Sequence, residues 1–271
     1  MAKYAWATDV HLDFLSNRPQ DLITFAESLI KHDNPTGIFL TGDISTAKSV
    51  IYHLSAIEKV VQRPIYFVLG NHDYYGSSVE LVRKAMRELT NVSPFLRYMP
   101  TMPYYALTPS TAVIGHDGWY DAHHGDWQNS AFQMNDWTAI RDFHDVHGNK
   151  ASIVGVARKL AHEGVTHVHN AIKQAVRYHK NVIILTHVPP FRESHIYQGK
   201  VGDDFAQPWF TSKMMGDMLL DAAKSFPSHS FTVLAGHTHG KYSGKIRDNL
   251  MVNVGGAEYY TPALQGLVEV L

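Results

Sequence analysis

The sequence predicts an α/β protein built as two packed, mixed β-sheets with helices outside. Three observations predict it. Short apolar runs alternate with segments of helical periodicity through the first third of the chain. A second series of buried-type runs, followed by short strands and turns, closes the chain. The 271 residues, 45% of them apolar, suffice for one large domain and contain no linker, repeat or low-complexity block to divide it.

The elements follow in order. Tyr4 to Thr8 reads as a strand, and Asp21 to Lys31 as a helix, with Leu22, Phe25, Ala26, Leu29 and Ile30 on one face. Gly37 to Thr41 is a buried-strand run. Ser45 to Val61 is helical, with Ser45 or Thr46 as cap, and Pro64 to Leu69 is a third strand. Ser77 to Leu89 is a third helix. Tyr104 to Leu107 and Ala112 to Gly115 form a hairpin pair around Pro109-Ser110. His116 to Lys150 is rich in Asp, His, Gly, Asn and Trp, the profile of an insertion or lid over a single domain of residues 1–271. Ala151 to Lys180 is helix with a break expected at Gly164. Asn181 to Thr186 is strand, Val188 to Phe210 loop, Thr211 to Phe226 helix and Ser230 to Ala235 strand.

Composition narrows function. With 24 basic and 25 acidic residues the chain lacks the basic excess of a general nucleic-acid binder, so nucleic acid is a disfavoured partner. The absence of cysteine excludes disulfides, thiolate metal sites and a cysteine nucleophile. The N-terminus lacks a signal-peptide layout and no apolar run approaches membrane-spanning length, from which a soluble, cytoplasmic protein without a membrane partner is expected. Eighteen histidines are many, and position decides which of them are ligands.

Five strand-like runs end in polar residues of one kind. Tyr4-Ala5-Trp6-Ala7-Thr8 leads into Asp9-Val10-His11, and Ile38-Phe39-Leu40-Thr41 into Gly42-Asp43. Ile65 to Leu69 leads into Gly70-Asn71-His72-Asp73. Val182 to Thr186 leads into His187, and Phe231 to Ala235 into Gly236-His237-Thr238-His239. Ligands of α/β sheets bind beyond the carboxyl ends of strands, so neighbouring strand ends would carry these groups to one rim. Asp9, His11, Asp43, Asn71, His187, His237 and His239 then suit two divalent ions such as Mn, Fe or Zn. Gly42, Gly70 and Gly236 sit where a Cβ could clash beneath a crowded site. Strand-end capping accounts for one Asp or Asn, but poorly for the whole ordered set.

In order, Asp-x-His, Gly-Asp, Gly-Asn-His-Asp, His and Gly-His-x-His resemble the motifs of the calcineurin-like metallophosphoesterase superfamily. The resemblance spans residues 9 to 239 and implies a β-sandwich flanked by helices. It implies that Asp9, His11 and His239 hold one metal and Asn71, His187 and His237 a second, with Asp43 bridging. It further implies His72 as the catalytic histidine near the leaving group, oriented by Asp73. The implied activity is hydrolysis of a phosphomonoester or phosphodiester by in-line attack of metal-activated water. Asp13 is a neighbour of the site or an exposed loop acid with equal weight. His162, His167, His169 and His179 read as solvated, His116, His123 and His124 as part of the insertion, Arg141 and Arg192 as surface charges or phosphate contacts, and Phe191 as a candidate stacking residue.

The superfamily's Ser/Thr protein phosphatases carry Asp-Arg-Gly soon after Gly-Asp and glutamate at the end of the third motif. Ile44-Ser45-Thr46 and Asp73 stand here instead. The His187-Val188-Pro189-Pro190 loop is similar to that of the bacterial cyclic-nucleotide phosphodiesterase branch. The leading expectation is a small-molecule phosphoester substrate such as a nucleotide. The alternatives are a nuclease on short or single-stranded nucleic acid and a metal-dependent scaffold.

Overall fold

A computed structural model describes residues 1–15, 18–31 and 33–271. In chain order the elements begin with β1 (Ala2–Ala7), α1 (Pro19–Lys31), β2 (Gly37–Thr41), α2 (Val50–Val61) and β3 (Ile65–Val68). They continue with α3 (Val79–Val92), β4 (Leu96–Tyr98), β5 (Tyr105–Ala106), β6 (Thr111–Gly115), α4 (Asp136–Ala139), α5 (Arg141–His144) and α6 (Lys150–Ala175). Then come β7 (Asn181–Leu185), the small hairpin β8 (Ile196–Tyr197) and β9 (Lys200–Val201), α7 (Gln207–Phe210) and α8 (Lys213–Ser225). The chain closes with β10 (Ser230–Ala235), β11 (Tyr242–Arg247), β12 (Leu250–Val254) and β13 (Leu264–Val270).

Two mixed sheets carry the fold, in the orders β13-β1-β2-β3-β4 and β11-β12-β10-β7-β6-β5. Within them β1, β2, β3 and β4 run parallel, as do β6, β7, β10 and β12; β13, β11 and β5 are antiparallel edges. Side chains alternate across each strand. Tyr4, Trp6, Phe39, Tyr66 and Val68 of the first sheet meet Val113, Ile183, Leu185 and Leu234 of the second in the middle of the sandwich. Ala5, Ala7, Ile38, Leu40, Ile65 and Phe67 point the other way, into the core shared with α1, α2 and α3. Ala112, Ile114, Val182, Ile184 and Val233 pack outward into a third core with α6 and α8. Both faces of the central strands are covered, so those strands read as continuous apolar runs, and polar groups collect at the strand ends.

Several boundaries differ from the sequence reading. The β4 strand has three residues, too few to show a period. The α2 helix starts at Val50 because Ser45, Thr46 and Ser49 hydrogen-bond among their own side chains, with His53 Nδ1 on Ser45 Oγ. The α6 helix runs through Gly164 unbroken; a Cβ there would meet His116 Nδ1 at 3.0 Å. Residues 116–150 divide in two. Trp119, Tyr120, Trp137 and Phe143 are buried in the core shared with α1, α2 and α3, whereas most of 123–135 lies at the surface. Among the described residues, no helix is long and apolar enough to cross a membrane.

Candidate active site

The parallel strands of both sheets end at one rim, and there the chain reverses sharply. Asp9, His11, Asp43, His237 and His239 all take positive φ, between 40° and 71°. Asp and His tolerate this left-handed region better than bulky residues do, but it still costs free energy, and such strain collects at functional sites. Glycine makes room beneath them. A Cβ on Gly70 would overlap Asp43 Oδ1, and one on Gly236 would overlap Asp9 Oδ2.

Six of the seven candidate ligands fall into two joined groups, and His237 stands beside the second. Asp9, His11, Asp43 and His239 bring one ligand atom each within mutual reach of 4.8 Å. Within that group His11 Nε2 lies 3.2 Å from His239 Nε2 and 3.6 Å from Asp43 Oδ2, and His239 Nε2 lies 3.5 Å from Asp9 Oδ1. In the second group His187 Nε2 lies 3.2 Å from Asn71 Oδ1 and 3.3 Å from Asp43 Oδ1. Metal–ligand bonds of about 2.1 Å meeting at about 90–110° put neighbouring ligand atoms about 3.0–3.4 Å apart; the 3.2 and 3.3 Å separations fall in that range and the 3.5 and 3.6 Å ones lie just beyond it. Asp43 turns one oxygen to each group.

The other atoms of these side chains are held so that the ligand atoms face inward. His187 Nδ1–H donates to Thr41 O (2.8 Å), leaving Nε2 to coordinate. His237 does the reverse: Nε2–H donates to Trp209 O (3.0 Å), leaving Nδ1. Its ring stands 5.1 Å from that of His187. Asn71 Nδ2 donates to Asp136 Oδ1 (2.8 Å), which fixes the amide with its oxygen towards His187. Asp9 accepts the His237 amide at 2.9 Å. The sequence reading missed Asp136, because it lies 65 residues from Asn71 and no motif marks it.

Electrostatics fit a cation. Burial alone would raise the Asp43 carboxyl, but His187, then His11 and His72, hold it well below the carboxylate range. Burial opposes a charge on His187, yet Asp43 and Asp9 push it up to about 10. Without metal, a protonated imidazole supplies the positive charge that this buried carboxylate needs. His237 is driven down to about 3 by burial and by His187, so it stands neutral, as a ligand must.

His72 and its partner differ from the expected pair. Asp73 is fully buried and faces backbone: Oδ1 accepts Ile44 N–H (2.9 Å) and Ser45 N–H (2.7 Å), and Oδ2 accepts Gly70 N–H (2.8 Å). It holds the two motif loops together and makes no hydrogen bond to His72. The acid at His72 is Asp13, with Oδ2 3.0 Å from Nε2. Burial lowers the His72 pKa, but the Asp13 hydrogen bond and the charges of Asp43, Asp13 and Asp73 raise it overall. His11, Asp13 and His72 also bring ligand atoms within 4.8 Å of one another.

The remaining candidates lie elsewhere. Arg192 pairs with Asp204 at the surface, and Arg141 is exposed. Phe191 is buried against the core of α6 and α8. His179 is buried against Tyr104, and His167 is half-buried beside His116, so neither is the solvated residue expected.

A two-sheet sandwich that presents two joined His/Asp/Asn groups at its strand ends defines a dinuclear metallohydrolase. The calcineurin-like phosphoesterase family model matches residues 2–241, and the chain belongs to that family. No curated protein matches the sequence. Among solved structures, the chain is similar to phosphopantetheinyl hydrolase from Mycobacterium tuberculosis, at TM-score 0.60 and 14% identity, over 97% of this chain and 95% of that one. It is similar to a dimetal phosphatase from Danio rerio, at 0.59 and 13%, over 94% and 87%. It is also similar to a putative 5′-nucleotidase from Staphylococcus aureus, at 0.51 and 12%, over 94% and 48%. At such identities the likeness is one of fold. The chain is accordingly a hydrolase of phosphoric esters.

Proposed function

We propose that the protein hydrolyses a small-molecule phosphodiester or phosphomonoester, with Asp9, His11, Asp43 and His239 holding one divalent ion and Asp43, Asn71, His187 and His237 a second. Two such ions supply Lewis acidity, which acidifies water and offsets charge gathering on a phosphoryl group. The chain's own part is positioning. Asp43 spaces the two groups, Asn71 and Asp136 fix an amide oxygen between them, and His72, paired with Asp13 and with its pKa raised, is placed to give a proton to the departing oxygen. The observation that carries this reading is the Asp43 carboxylate, whose oxygens lie 3.6 Å from His11 Nε2 and 3.3 Å from His187 Nε2.

Two cavities flank the centre and leave room for both arms of a diester. One, of about 420 Å³, carries the polar side chains of Thr8, Asp9, His239, Lys241, Glu258 and Gln265. The other, of about 400 Å³, is largely aromatic and reaches His237 and His239.

The test is to strip the protein with chelator and restore it with Mn²⁺, Fe²⁺ or Zn²⁺. A chromogenic monoester, a chromogenic diester, a cyclic nucleotide and a single-stranded oligonucleotide are then assayed. Turnover of a small ester that returns with about two ions per chain supports the reading. Turnover of the oligonucleotide alone makes the protein a nuclease. Bound metal with no turnover makes it a scaffold.

A further inference from the structure

The aromatic cavity is built from segments that the ligand motifs do not use. Phe132 comes from the surface part of residues 116–150, Tyr197 from β8, Phe205 and Phe210 from the stretch ending in α7, and Tyr259 from the loop before β13. Phe210 is its hub. Its ring lies 5.1 Å from His237, 4.8 Å from His195 in a near-parallel stack (20°), and 5.3 Å edge-on from Phe132. Tyr259 stands at the opposite lip, 5.0 Å from the His239 ring. The cavity therefore opens directly onto two candidate metal ligands.

Four of these rings are left open around one mouth: Phe132 is 38% exposed, Phe205 49%, Tyr259 51% and Tyr197 64%. Single exposed aromatics are ordinary, but several converging on a concavity beside a metal centre mark a ligand site. The apolar lining is aromatic except for Ala206, which suits a flat π-system better than an alkyl chain.

The polar groups agree. The His195 side chain has no hydrogen-bond partner. Its Nδ1 is sealed from solvent, which leaves Nε2 as the nitrogen able to meet a ligand. Burial holds this ring down to about 4 against the pull of Asp203, so near neutral pH it is uncharged. Asp203 Oδ1 accepts the amides of Phe205 (3.0 Å) and Ala206 (2.9 Å), leaving Oδ2 on the rim as an acceptor. The lining carries no lysine or arginine, so the cavity is not made for a second phosphate; Lys241 lies in the other one.

We propose that the aromatic cavity seats a planar heteroaromatic base, so that the substrate is a nucleoside phosphate whose base packs among Phe210, Phe132 and Phe205, with its edge read by His195 Nε2 and Asp203. This rests on the phosphoesterase reading above, because it takes the phosphoryl group to lie at the metal ligands. It makes those three phenylalanines and His195 specificity-determining residues.

The test compares adenosine 5′-monophosphate with ribose 5-phosphate on manganese-loaded protein. Binding is read by calorimetry and as competitive inhibition of bis(p-nitrophenyl) phosphate cleavage. The nucleotide should bind at least about tenfold more tightly, because stacking on one aromatic is worth about that or more. Phe132→Ala and Phe205→Ala, at half-exposed positions, should each weaken the nucleotide about tenfold to a hundredfold and leave ribose 5-phosphate unchanged. His195→Ala should narrow the gap between the two ligands in the same way. Equal affinity of both ligands for the parent protein, or variants that weaken both alike, would overturn the proposal. If no ester is cleaved but the nucleotide still binds through Phe205, the base site stands and the phosphoesterase reading fails. If esters are cleaved without preference for the nucleotide, the base site alone fails.

Discussion

Replacing Asp13 and Asp73 in turn by asparagine separates a carboxylate that positions a proton donor from one that holds the backbone. Asp13 Oδ2 contacts His72 Nε2 at 3.0 Å, and its other oxygen is buried without a partner. Asp13→Asn keeps the size but removes the charge that favours the protonated ring. A proton from a positioned acid contributes roughly a hundredfold or more to rate, and loss of an orienting partner costs about 10–100-fold. An alkyl phosphate, whose leaving oxygen must be protonated, should therefore lose about 10–100-fold in kcat with KM little changed. A p-nitrophenyl ester, which expels a stable anion, should lose less than about threefold. Asp73→Asn presents an NH₂ group where at least one of three buried amides now finds an acceptor. Leaving one such buried N–H without an acceptor costs about 1–3 kcal/mol, or roughly 2–4 °C of Tm per kcal/mol in a protein of this size. The assay is kcat on the two leaving groups, with metal content and Tm for each variant. The reasoning fails if Asp73→Asn, rather than Asp13→Asn, shows the leaving-group dependence at unchanged Tm. Loss of metal from Asp13→Asn would instead make Asp13 a ligand, with His11 and His72 beside it.

Gly70→Ala drives a Cβ into Asp43 Oδ1, so elemental analysis should find well under the parent's metal content; full occupancy would show that the loop can yield. Lys241→Ala should raise KM about tenfold for diesters with an anionic second arm and leave monoesters within about twofold, and an equal change for both would remove the Lys241 cavity from substrate binding. His116 is held down to about 3 by burial, with Arg83 and His167 adding to it against Asp117. Its unfolded pKa lies near 6.5, so the unfolded chain takes up a proton that the folded chain refuses, and stability falls as pH drops below about 6.5. At pH 5 this amounts to about 2 kcal/mol; His116→Gln should shrink the difference in unfolding free energy between pH 7.5 and pH 5 by about that much in urea titrations, and an unchanged difference would refute the assignment.

What the sequence could show depended on how far apart the interacting groups lie. The strands that end in Asp9, Asp43, Asn71, His187 and His237 were legible because each is an apolar run followed at once by a polar turn, a pattern confined to about ten residues. The two-sheet architecture was legible because its central strands are covered on both faces. Side-chain direction at short range was not. Asp73 adjoins His72 in the chain and was the natural partner. Yet residues 72–74 form a single 3-10 turn that aims the Asp73 carboxylate at the backbone of residues 44, 45 and 70. The turn of residues 12–15 lifts Asp13 to the histidine instead. The aromatic wall misled in the same way. Phe191, which follows His187 closely, turns into the core of α6 and α8. Phe210, nineteen residues later, is the ring that reaches His237.

The same geometry explains why the rim is built from strained turns. With both faces of the central parallel strands occupied by apolar packing, the positions where seven polar side chains can converge are the first residues beyond the strands. To aim them back over the sheet ends the backbone must reverse within one or two residues, which puts Asp9, His11, Asp43, His237 and His239 at positive φ. Each such residue costs of order 1 kcal/mol or more, and the surroundings must over-determine it. The amide of His237 on Asp9, that of His72 on Asp43, and the three amides on Asp73 do so. The carboxylates of the site therefore act twice, bracing the turns through backbone N–H groups while leaving other oxygen lone pairs for cations. For this reason replacing Asp9 or Asp43 with asparagine should destabilise the metal-free protein as well as weaken metal binding. Thermal melts in chelator that match the parent's would show that the turns hold without them.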